Sequence, residues 1–153
     1  MKCIEERARR FQGWRPDVFI ERLWAQRYGP GGHYVHHYDG GPGRISSFMV
    51  YLQANCSGGG TNFPRLKVTG EKEMWCRFVE CGESNGNGNG EGQERKLEDV
   101  TFKPIEGNAV FWMNYAADGR GYEEAWHAAL PVTKGTKVGL NIWSWHQPGI
   151  SIP

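Results

Sequence analysis

The alternation of polar and apolar residues is clearest near the end of the chain, between residues 137 and 145. Successive side chains of a β-strand point to opposite faces, so residues i and i+2 share a face. One face carries Lys137, Gly139, Asn141, Trp143 and Trp145, and the other carries Val138, Leu140, Ile142 and Ser144. The pattern predicts a strand with one largely apolar face.

Seven further stretches have the alternation or the residue types of short strands, and turn residues separate them. They are residues 21–28, 34–39, 45–53, 74–80, 100–104, 109–113 and 123–130. Residues 133–136, Thr-Lys-Gly-Thr, predict a turn before the last strand. About eight short strands with little helix indicate an all-β sandwich or barrel, in which strands distant in sequence meet at one end.

Helix is expected only at the beginning of the chain, where Ile4, Ala8 and Phe11 have the spacing of one helical face over residues 2–11. Residues 82–94 are rich in glycine, asparagine and glutamate and contain no apolar side chain. Such a segment cannot offset the conformational entropy that it would lose on ordering. We therefore predict a single domain over residues 1–153 with a disordered insertion at about 82–94.

The composition gives no support to nucleic-acid binding or to a membrane protein. A net charge of +1 over 153 residues offers no electrostatic case for binding nucleic acid or an acidic membrane surface. No apolar run approaches the roughly 20 residues of a membrane span, and the N-terminus lacks the apolar core of a signal peptide. As written, the chain is expected to be cytoplasmic and to carry no membrane segment.

The four cysteines, Cys3, Cys56, Cys76 and Cys81, form no Cys-x-x-Cys pair, which argues against a zinc knuckle or a thioredoxin-like site. Reduced, buried thiols are the first expectation. A bridge between Cys76 and Cys81 is the alternative if the protein resides in an oxidising lumen.

The candidate chemistry lies between Tyr28 and Asp39, in the order Tyr-Gly-Pro-Gly-Gly-His-Tyr-Val-His-His-Tyr-Asp. A glycine-rich turn leads into a strand on which His37 and Asp39 share a face, while His36 points to the other side. A second histidine would complete a set of two histidines and one carboxylate, the arrangement of non-haem Fe(II) oxygenases. His-x-Asp alone also occurs as an ordinary histidine on a strand.

The third ligand has three downstream or neighbouring candidates, His33, His127 and His146. His127 stands in a predicted strand and is followed by two alanines, which leave room beside the ring. Lys137 opens the last strand on the face that carries Asn141 and Trp143. Because burying an unpaired ammonium is costly, this lysine calls for an anionic partner, and a bound carboxylate would serve.

Several motifs follow one another along the chain in a recognisable order. They are Tyr28-x-x-Gly31-Gly32-His33-Tyr34-x-x-His37-x-Asp39, Gly59-Gly60-Thr61-Asn62-Phe63-Pro64, Asn108-Ala109-Val110-Phe111-Trp112, Trp126-His127-Ala128-Ala129-Leu130-Pro131-Val132, and Lys137, Asn141 and Trp143. From about Leu23 to Gln147 the chain resembles the catalytic domain of prolyl 4-hydroxylases, Fe(II)/2-oxoglutarate dioxygenases, and especially the fungal proteins of that group. The resemblance implies a double-stranded β-helix, or jelly roll.

The resemblance also implies roles for individual residues. His37, Asp39 and His127 match the iron ligands, and Lys137 matches the residue that pairs with the distal carboxylate of 2-oxoglutarate. Tyr28 and Thr61 match positions that line the cosubstrate pocket, and Tyr51 is a weaker candidate. The implied cofactors are Fe(II), 2-oxoglutarate and O₂, with ascorbate. Zinc held structurally by the same residues is the alternative metal, although structural zinc sites usually have four ligands and are rich in cysteine.

The implied activity is hydroxylation of a substrate, most simply peptidyl proline in a protein or peptide, with decarboxylation of 2-oxoglutarate to succinate. Alternatives are an oxygenase acting on another substrate and a non-catalytic descendant that retains the metal site. Only about twenty residues precede Leu23, which suggests an N-terminally shortened form or a fragment. The family suggests the endoplasmic reticulum, in contrast to the cytoplasmic expectation above.

Overall fold

Two antiparallel sheets of four strands each account for most of the described chain, residues 2–39, 43–68, 72–81, 97–116 and 118–145 of a computed structural model. The strands are β1 (Trp24–Tyr28), β2 (Tyr34–His37), β3 (Arg44–Gly58), β4 (Thr61–Val68), β5 (Leu97–Phe102), β6 (Ala109–Met113), β7 (His127–Ala129) and β8 (Val132–Trp145). Sheet A has the order β1-β8-β3-β6, and sheet B has the order β2-β7-β4-β5. The strand pairs β1 and β2, β3 and β4, β5 and β6, and β7 and β8 each have one member in either sheet. The all-β fold predicted from the strand pattern is confirmed, and it is the double-stranded β-helix that the resemblance implied.

The ladder between β3 and β8 is the centre of sheet A and runs from the pair Arg44↔Trp145 to the pair Gly58↔Val132. The predicted alternation of β8 is confirmed by packing. Leu140 and Ile142 lie on the outer face of sheet A together with Phe48, where the helix α1 (Lys2–Phe11) covers them. The opposite face of the sheet is therefore free to pack against sheet B and to carry the polar residues of a site.

The space between the two sheets contains a second apolar cluster. Met49, Tyr51 and Val110 from sheet A pack there against Phe63 from sheet B. Tyr51 is 1% exposed and Phe63 is 3% exposed, so both side chains are buried between the sheets. It holds the sheets together on one side of the candidate ligands and leaves the other side open as a cavity.

The strand predicted over residues 74–80 is wrong. The chain instead forms the short helix α2 (Lys72–Trp75) and a turn in which the backbone amides of Phe78 and Val79 both donate to the carbonyl of Trp75, at 2.7 and 2.9 Å. Only Val79 makes a strand-like pair, an isolated bridge with Phe102. A disulfide joins Cys76 and Cys81, five positions apart, and a segment closed on itself in this way cannot run extended.

The expectation that Cys76 and Cys81 are reduced thiols is therefore wrong, and the alternative, a disulfide between them, is what forms. Cys3 and Cys56 are free thiols, and Cys3 is exposed. None of the helices in the described ranges has the length and apolarity needed to cross a bilayer.

Two further boundaries differ from the prediction. The turn expected at residues 133–136 lies inside β8, where Gly135 pairs with Cys56 at a φ of +81°. A side chain at Gly135 would place its Cβ 2.1 Å from the carbonyl oxygen of Asn55, so the glycine permits close pairing and does not end the strand. The strand predicted over residues 123–130 is shortened to β7, and a 3₁₀ turn (Glu123–Ala125) precedes it.

The helix predicted over residues 2–11 is confirmed as α1. The strand predicted over residues 21–28 begins later, at Trp24. The insertion predicted at about 82–94 lies outside the described residues.

Candidate metal and cosubstrate site

The pairing of β2 with β7 brings two histidines together. His37 at the end of β2 stands directly opposite His127 at the start of β7, and their ring centroids are 4.3 Å apart. The strand predicted over residues 34–39 ends at His37, so Asp39 lies two residues beyond β2, but its carboxylate faces the same side as His37, as predicted. Its carboxylate oxygens lie 3.8 Å from Nε2 of His37 and 3.9 Å from Nε2 of His127.

The tautomer of both histidines follows from their backbone contacts. Nδ1 of His37 is 2.8 Å from the carbonyl oxygen of Val35, and Nδ1 of His127 is 2.8 Å from that of Ala125. A carbonyl oxygen can only accept, so each Nδ1 carries a proton, and Nε2 is the ring nitrogen that faces Asp39. This is how ligand histidines are oriented in metal sites.

The surroundings of His127 keep its ring neutral. The ring is buried between Phe63 and Trp112, at centroid distances of 5.4 and 4.7 Å. Burial lowers the pKa of His127, and the neighbouring carboxylate of Asp39 opposes that shift only in part. A neutral imidazole is the form that binds a metal ion.

These three side chains fit a divalent metal ion. Their ligand atoms all lie within 4.8 Å of one another, and no further histidine, cysteine, aspartate or glutamate of the described residues joins them. A divalent transition ion holds nitrogen and oxygen ligands at roughly 2.0–2.2 Å, so ligands at right angles are about 3 Å apart. The distances of 3.8 and 3.9 Å are too long for hydrogen bonds and would need to shorten by less than ~1 Å around an ion.

The other histidines considered as ligands lie elsewhere. His33 is exposed, and its Nδ1 contacts the carbonyl oxygen of Gly31. His36 points away from the cluster, as predicted, and contacts Asn62. His146 lies outside the described residues.

A cavity of about 540 Å³ opens beside the cluster between the two sheets. Its lining combines the cluster with aromatic and polar residues of both sheets. These residues are Glu21, Trp24, Gln26, Tyr28, Tyr34, His37, Tyr38, Asp39, Arg44, Met49, Thr61, His127, Ala129, Asn141 and Trp143. Tyr28 and Thr61 were both predicted at this pocket, and Asn141 and Trp143 share the face of β8 assigned to it.

Lys137 is fully buried next to this cavity and pairs with Tyr28 across the β1–β8 ladder. Its ammonium lies 5.0 Å from the centre of the Tyr28 ring and donates to the carbonyl oxygen of Gly59 at 2.5 Å. Burial lowers the pKa of Lys137 to about 8. Within the described residues no carboxylate pairs with this ammonium, so the anionic partner that the sequence called for is not supplied by that part of the chain.

Thr61 is held in place from sheet A. Its hydroxyl oxygen lies 2.7 Å from that of Tyr51, which is buried beneath the cavity. Burial raises the pKa of Tyr51 to about 12, so its phenol stays protonated and able to donate. The Tyr28 phenol donates to the side-chain oxygen of Gln26.

The sequence did not single out an ion pair that forms the far wall of the cavity. The guanidinium of Arg44 donates from Nε and Nη2 to the two carboxylate oxygens of Glu21, at 2.8 and 2.7 Å. It also lies 3.9 Å from the ring centre of Trp143. The two charges are 23 residues apart and belong to different segments, so no local pattern could have paired them.

The family model of the 2OG-Fe(II) oxygenase superfamily matches residues 23–145. The chain belongs to this superfamily. Its members use Fe(II), 2-oxoglutarate and O₂, which agrees with the two histidines, the carboxylate and the buried lysine described above.

Two curated relatives are similar to this chain at 28% identity. Transmembrane prolyl 4-hydroxylase of Mus musculus matches over 173 residues, covering 94% of this chain and 33% of its own length. Prolyl 4-hydroxylase subunit alpha-1 of Homo sapiens matches over 136 residues, covering 80% of this chain and 20% of its own length. The chain thus spans a third or less of these relatives.

Among solved structures, the fold is similar to that of the viral collagen prolyl hydroxylase vCPH from Paramecium bursaria Chlorella virus-1, determined as a complex with 2-oxoglutarate. The TM-score is 0.63 at 26% sequence identity, and the match covers 94% of this chain and 71% of the viral protein.

Proposed function

We propose that this domain is an Fe(II)- and 2-oxoglutarate-dependent dioxygenase that hydroxylates a peptidyl proline. The observation that carries the proposal is the convergence of Nε2 of His37, Nε2 of His127 and the carboxylate of Asp39 beside an open cavity. Two histidines and one carboxylate on one face leave the remaining coordination positions of an iron ion open.

In this proposal His37, Asp39 and His127 hold Fe(II), and Lys137 binds the distal carboxylate of 2-oxoglutarate. When bound, the iron and its cosubstrate supply the oxidation of a C–H bond, coupled to decarboxylation of 2-oxoglutarate to succinate. The contribution of the chain is orientation and charge. Lys137 offers a buried ammonium beside Tyr28 that no carboxylate of the described residues pairs with, and Tyr28 and Thr61 shape the wall that the cosubstrate contacts.

Three exposed aromatic residues support a proline-containing peptide or protein as the substrate. Trp24, Tyr34 and Tyr38 are 59%, 48% and 42% exposed and line the same cavity as the ligands. Grooves lined by aromatic rings bind proline-rich segments well, because these segments are already extended in solution and lose little entropy. The prolyl hydroxylases among the relatives point to the same substrate class.

The Cys76–Cys81 disulfide supports an oxidising compartment such as the lumen of the endoplasmic reticulum, in preference to the cytoplasm. We also propose that residues 1–153 act as one domain and that ascorbate sustains turnover.

The test is incubation of the protein with Fe(II), 2-oxoglutarate, ascorbate and a proline-rich peptide, followed by mass spectrometry of the peptide and assay of succinate. We expect stoichiometric succinate and a peptide heavier by one oxygen atom on a proline. Asp39→Ala is the control without activity. Release of succinate without oxidation of the peptide would mean that the enzyme acts on a substrate other than peptidyl proline. The absence of both products in folded, metal-loaded protein would mean a non-catalytic domain.

A further inference from the structure

A chain of polar side chains crosses the outer face of sheet B, on the side opposite the candidate ligands. Nε2 of His36 lies 2.8 Å from Oδ1 of Asn62, and Nδ2 of Asn62 donates to Oδ1 of Asp99 at 2.7 Å and to Oγ1 of Thr101 at 3.0 Å. We name His36, Asn62 and Asp99 the polar belt, while Thr101 only accepts a second bond from Asn62 and is not part of it. Because the sheet order is β2-β7-β4-β5, the belt connects three strands and passes over the fourth, β7.

The direction of every hydrogen bond in the belt is determined by chemistry. The carboxylate of Asp99 can only accept, so the amide nitrogen of Asn62 must face it and the amide oxygen must face His36. His36 therefore donates from Nε2. Asn62 is 5% exposed, and both ends of its amide are satisfied. A buried amide with all partners in place is a rigid connection.

The residue beneath the belt is small. Ala128 of β7 pairs with Asn62 and is 3% exposed, and β7 lies between the strands that carry His36 and Asn62. A methyl group leaves the path from His36 to Asn62 open, whereas a larger side chain would separate them. The ring of His36 also stacks on Trp126 at a centroid distance of 6.3 Å and an interplanar angle of 15°.

The backbone alone holds β2 weakly. This strand is four residues long and lies at the edge of sheet B, and it forms only two registered pairs with β7, Tyr34↔Ala129 and His37↔His127, with an irregularity between them. His37 depends on this strand for its position. Its neighbour His36 is fixed through the belt to the interior strand β4, so the belt supplies a connection that the short ladder lacks.

The far end of the belt adopts an unusual backbone conformation. Asp99 has a φ of 59°, and it is the one residue other than glycine with a positive φ in the described ranges. It lies where the register of β4 and β5 shifts, between the pairs Phe63↔Val100 and Lys67↔Glu98. The left-handed conformation is unfavourable for a residue with a side chain, and it occurs here where the carboxylate meets Asn62.

From these contacts we infer that His36, Asn62 and Asp99 are positioning residues for the metal ligands. By fixing β2 to β4 and β5, the belt holds His37 opposite His127 so that the two Nε2 atoms converge on Asp39. The inference rests on the metal site of the proposed function, and it concerns metal binding without requiring turnover. It extends the support of the ligands to residues that touch neither metal nor cosubstrate.

The test is titration of the folded protein with Mn(II), with the free aqua ion measured by electron paramagnetic resonance. His36→Phe keeps a ring for stacking on Trp126 but removes the donor to Asn62, and we expect it to weaken Mn(II) binding about tenfold, the lower end of what loss of a direct partner of a metal ligand costs. His36→Gln is the matched control. Its amide nitrogen is as many bonds from Cβ as Nε2 of histidine, so we expect near-normal affinity.

A second variant separates positioning from simple stability. Asp99→Gly relieves the positive φ, so the unfolding temperature should hold or rise, whereas loss of the carboxylate should weaken Mn(II) binding. Thr101→Val leaves the bond from Asn62 to Asp99 and should bind Mn(II) normally. Unchanged Mn(II) affinity in folded His36→Phe and Asp99→Gly would overturn the inference.

The outcome is independent of the enzymatic proposal. If wild-type protein binds Mn(II) and His36→Phe binds it more weakly, the belt has the assigned role even when no hydroxylated product forms. If product forms with wild-type protein and Mn(II) affinity is equal in His36→Phe and His36→Gln, the hydroxylase proposal stands and the belt is only structural.

Discussion

Lys137 carries a charge that the fold removes from water and leaves without a carboxylate among the described residues. Folding lowers its pKa from 10.5 to about 8, so the protonated form is less favourable in the folded protein than in the unfolded chain. The resulting destabilisation of the folded protein is complete below pH 8. It declines as the pH rises and is gone above 10.5, the pKa of the lysine in the unfolded chain. A bound carboxylate would reverse it, because the ion pair stabilises the protonated amine.

The first prediction concerns the pH dependence of 2-oxoglutarate binding. Below pH 8 Lys137 is already protonated and affinity should be constant, whereas above pH 8 binding must take up a proton and affinity should fall by about tenfold per pH unit. Calorimetric titration of metal-loaded protein in buffers with different ionisation enthalpies measures both the affinity and the proton uptake. Constant affinity from pH 7 to 10 would show that another group binds the carboxylate.

The matched variant is Lys137→Met, which keeps an unbranched side chain as far as Cε and removes the charged Nζ. We expect it to lose 2-oxoglutarate binding and to unfold at a higher temperature than wild type at pH 7, since the buried charge is gone. A lower unfolding temperature would mean that the ammonium stabilises the protein through Gly59 more than burial destabilises it.

The second prediction concerns the ligands. His37→Ala and Asp39→Ala should each abolish metal-dependent turnover, because each removes a ligand atom from the cluster. His36→Ala should retain turnover at saturating metal, because its side chain faces away and its effect is on affinity. Succinate release at several Fe(II) concentrations distinguishes the two effects. Equal loss at saturating Fe(II) in all three variants would refute the assignment of faces on β2.

Among the elements, the segment from α2 to Cys81 packs along the edge of sheet B, and we call it the clasp. The backbone amide of Glu80 donates to the carbonyl of Thr101 at 2.8 Å, and that of Lys103 donates to the carbonyl of Phe78 at 2.8 Å. Val79 between them is 1% exposed. The clasp covers the unpaired side of β5, the strand that also carries Asp99.

The third prediction is that Cys76→Ser with Cys81→Ser lowers stability without affecting the site. Closing so short a loop is worth about 2 kcal/mol in the chain-entropy account, which corresponds to roughly 4–8 °C in unfolding temperature for a chain of this size. Thermal unfolding measures the loss of stability, and titration with 2-oxoglutarate tests whether the site is unaffected. Cys3→Ser, at an exposed free thiol, is the control and should change neither.

In the whole molecule, sheet A is covered on both faces, by sheet B on the inner face and by α1 on the outer face. Sheet B packs on sheet A through Phe63, and the outer face of sheet A packs under α1 through Phe48 and Ile142. Gln12, just after the helix, donates to the hydroxyl of Ser144 at 3.0 Å and so joins this cover to β8. The helix is therefore an integral layer of the fold.

The fourth prediction compares two deletions. Removing residues 2–12 exposes the apolar outer face of sheet A and should cost on the order of 3 kcal/mol or more of unfolding free energy. Removing residues 86–92, which contain no apolar side chain, should change it little. Denaturant unfolding of both proteins decides. A large loss on the second deletion would contradict the composition argument for that segment.

The sequence predicted the strand pattern, the helix at residues 2–11 and the face that carries His37 and Asp39, because these depend on periodicity within one segment. It failed at residues 74–80, where covalent closure of the loop by a disulfide overrides the residue preferences of a strand. It also placed a turn at Gly135, where pairing with β3 continues the ladder and a glycine is needed for close approach.

Periodicity along the chain was enough to predict which side chains share a face, since the geometry of an extended backbone repeats over two residues. Which faces meet could be seen only once the strands were assembled into sheets. The opposition of His37 and His127, the ion pair of Glu21 and Arg44, and the contact of His36 with Asn62 each join residues 23 or more positions apart. Such contacts are set by strand order and register, which no local pattern encodes.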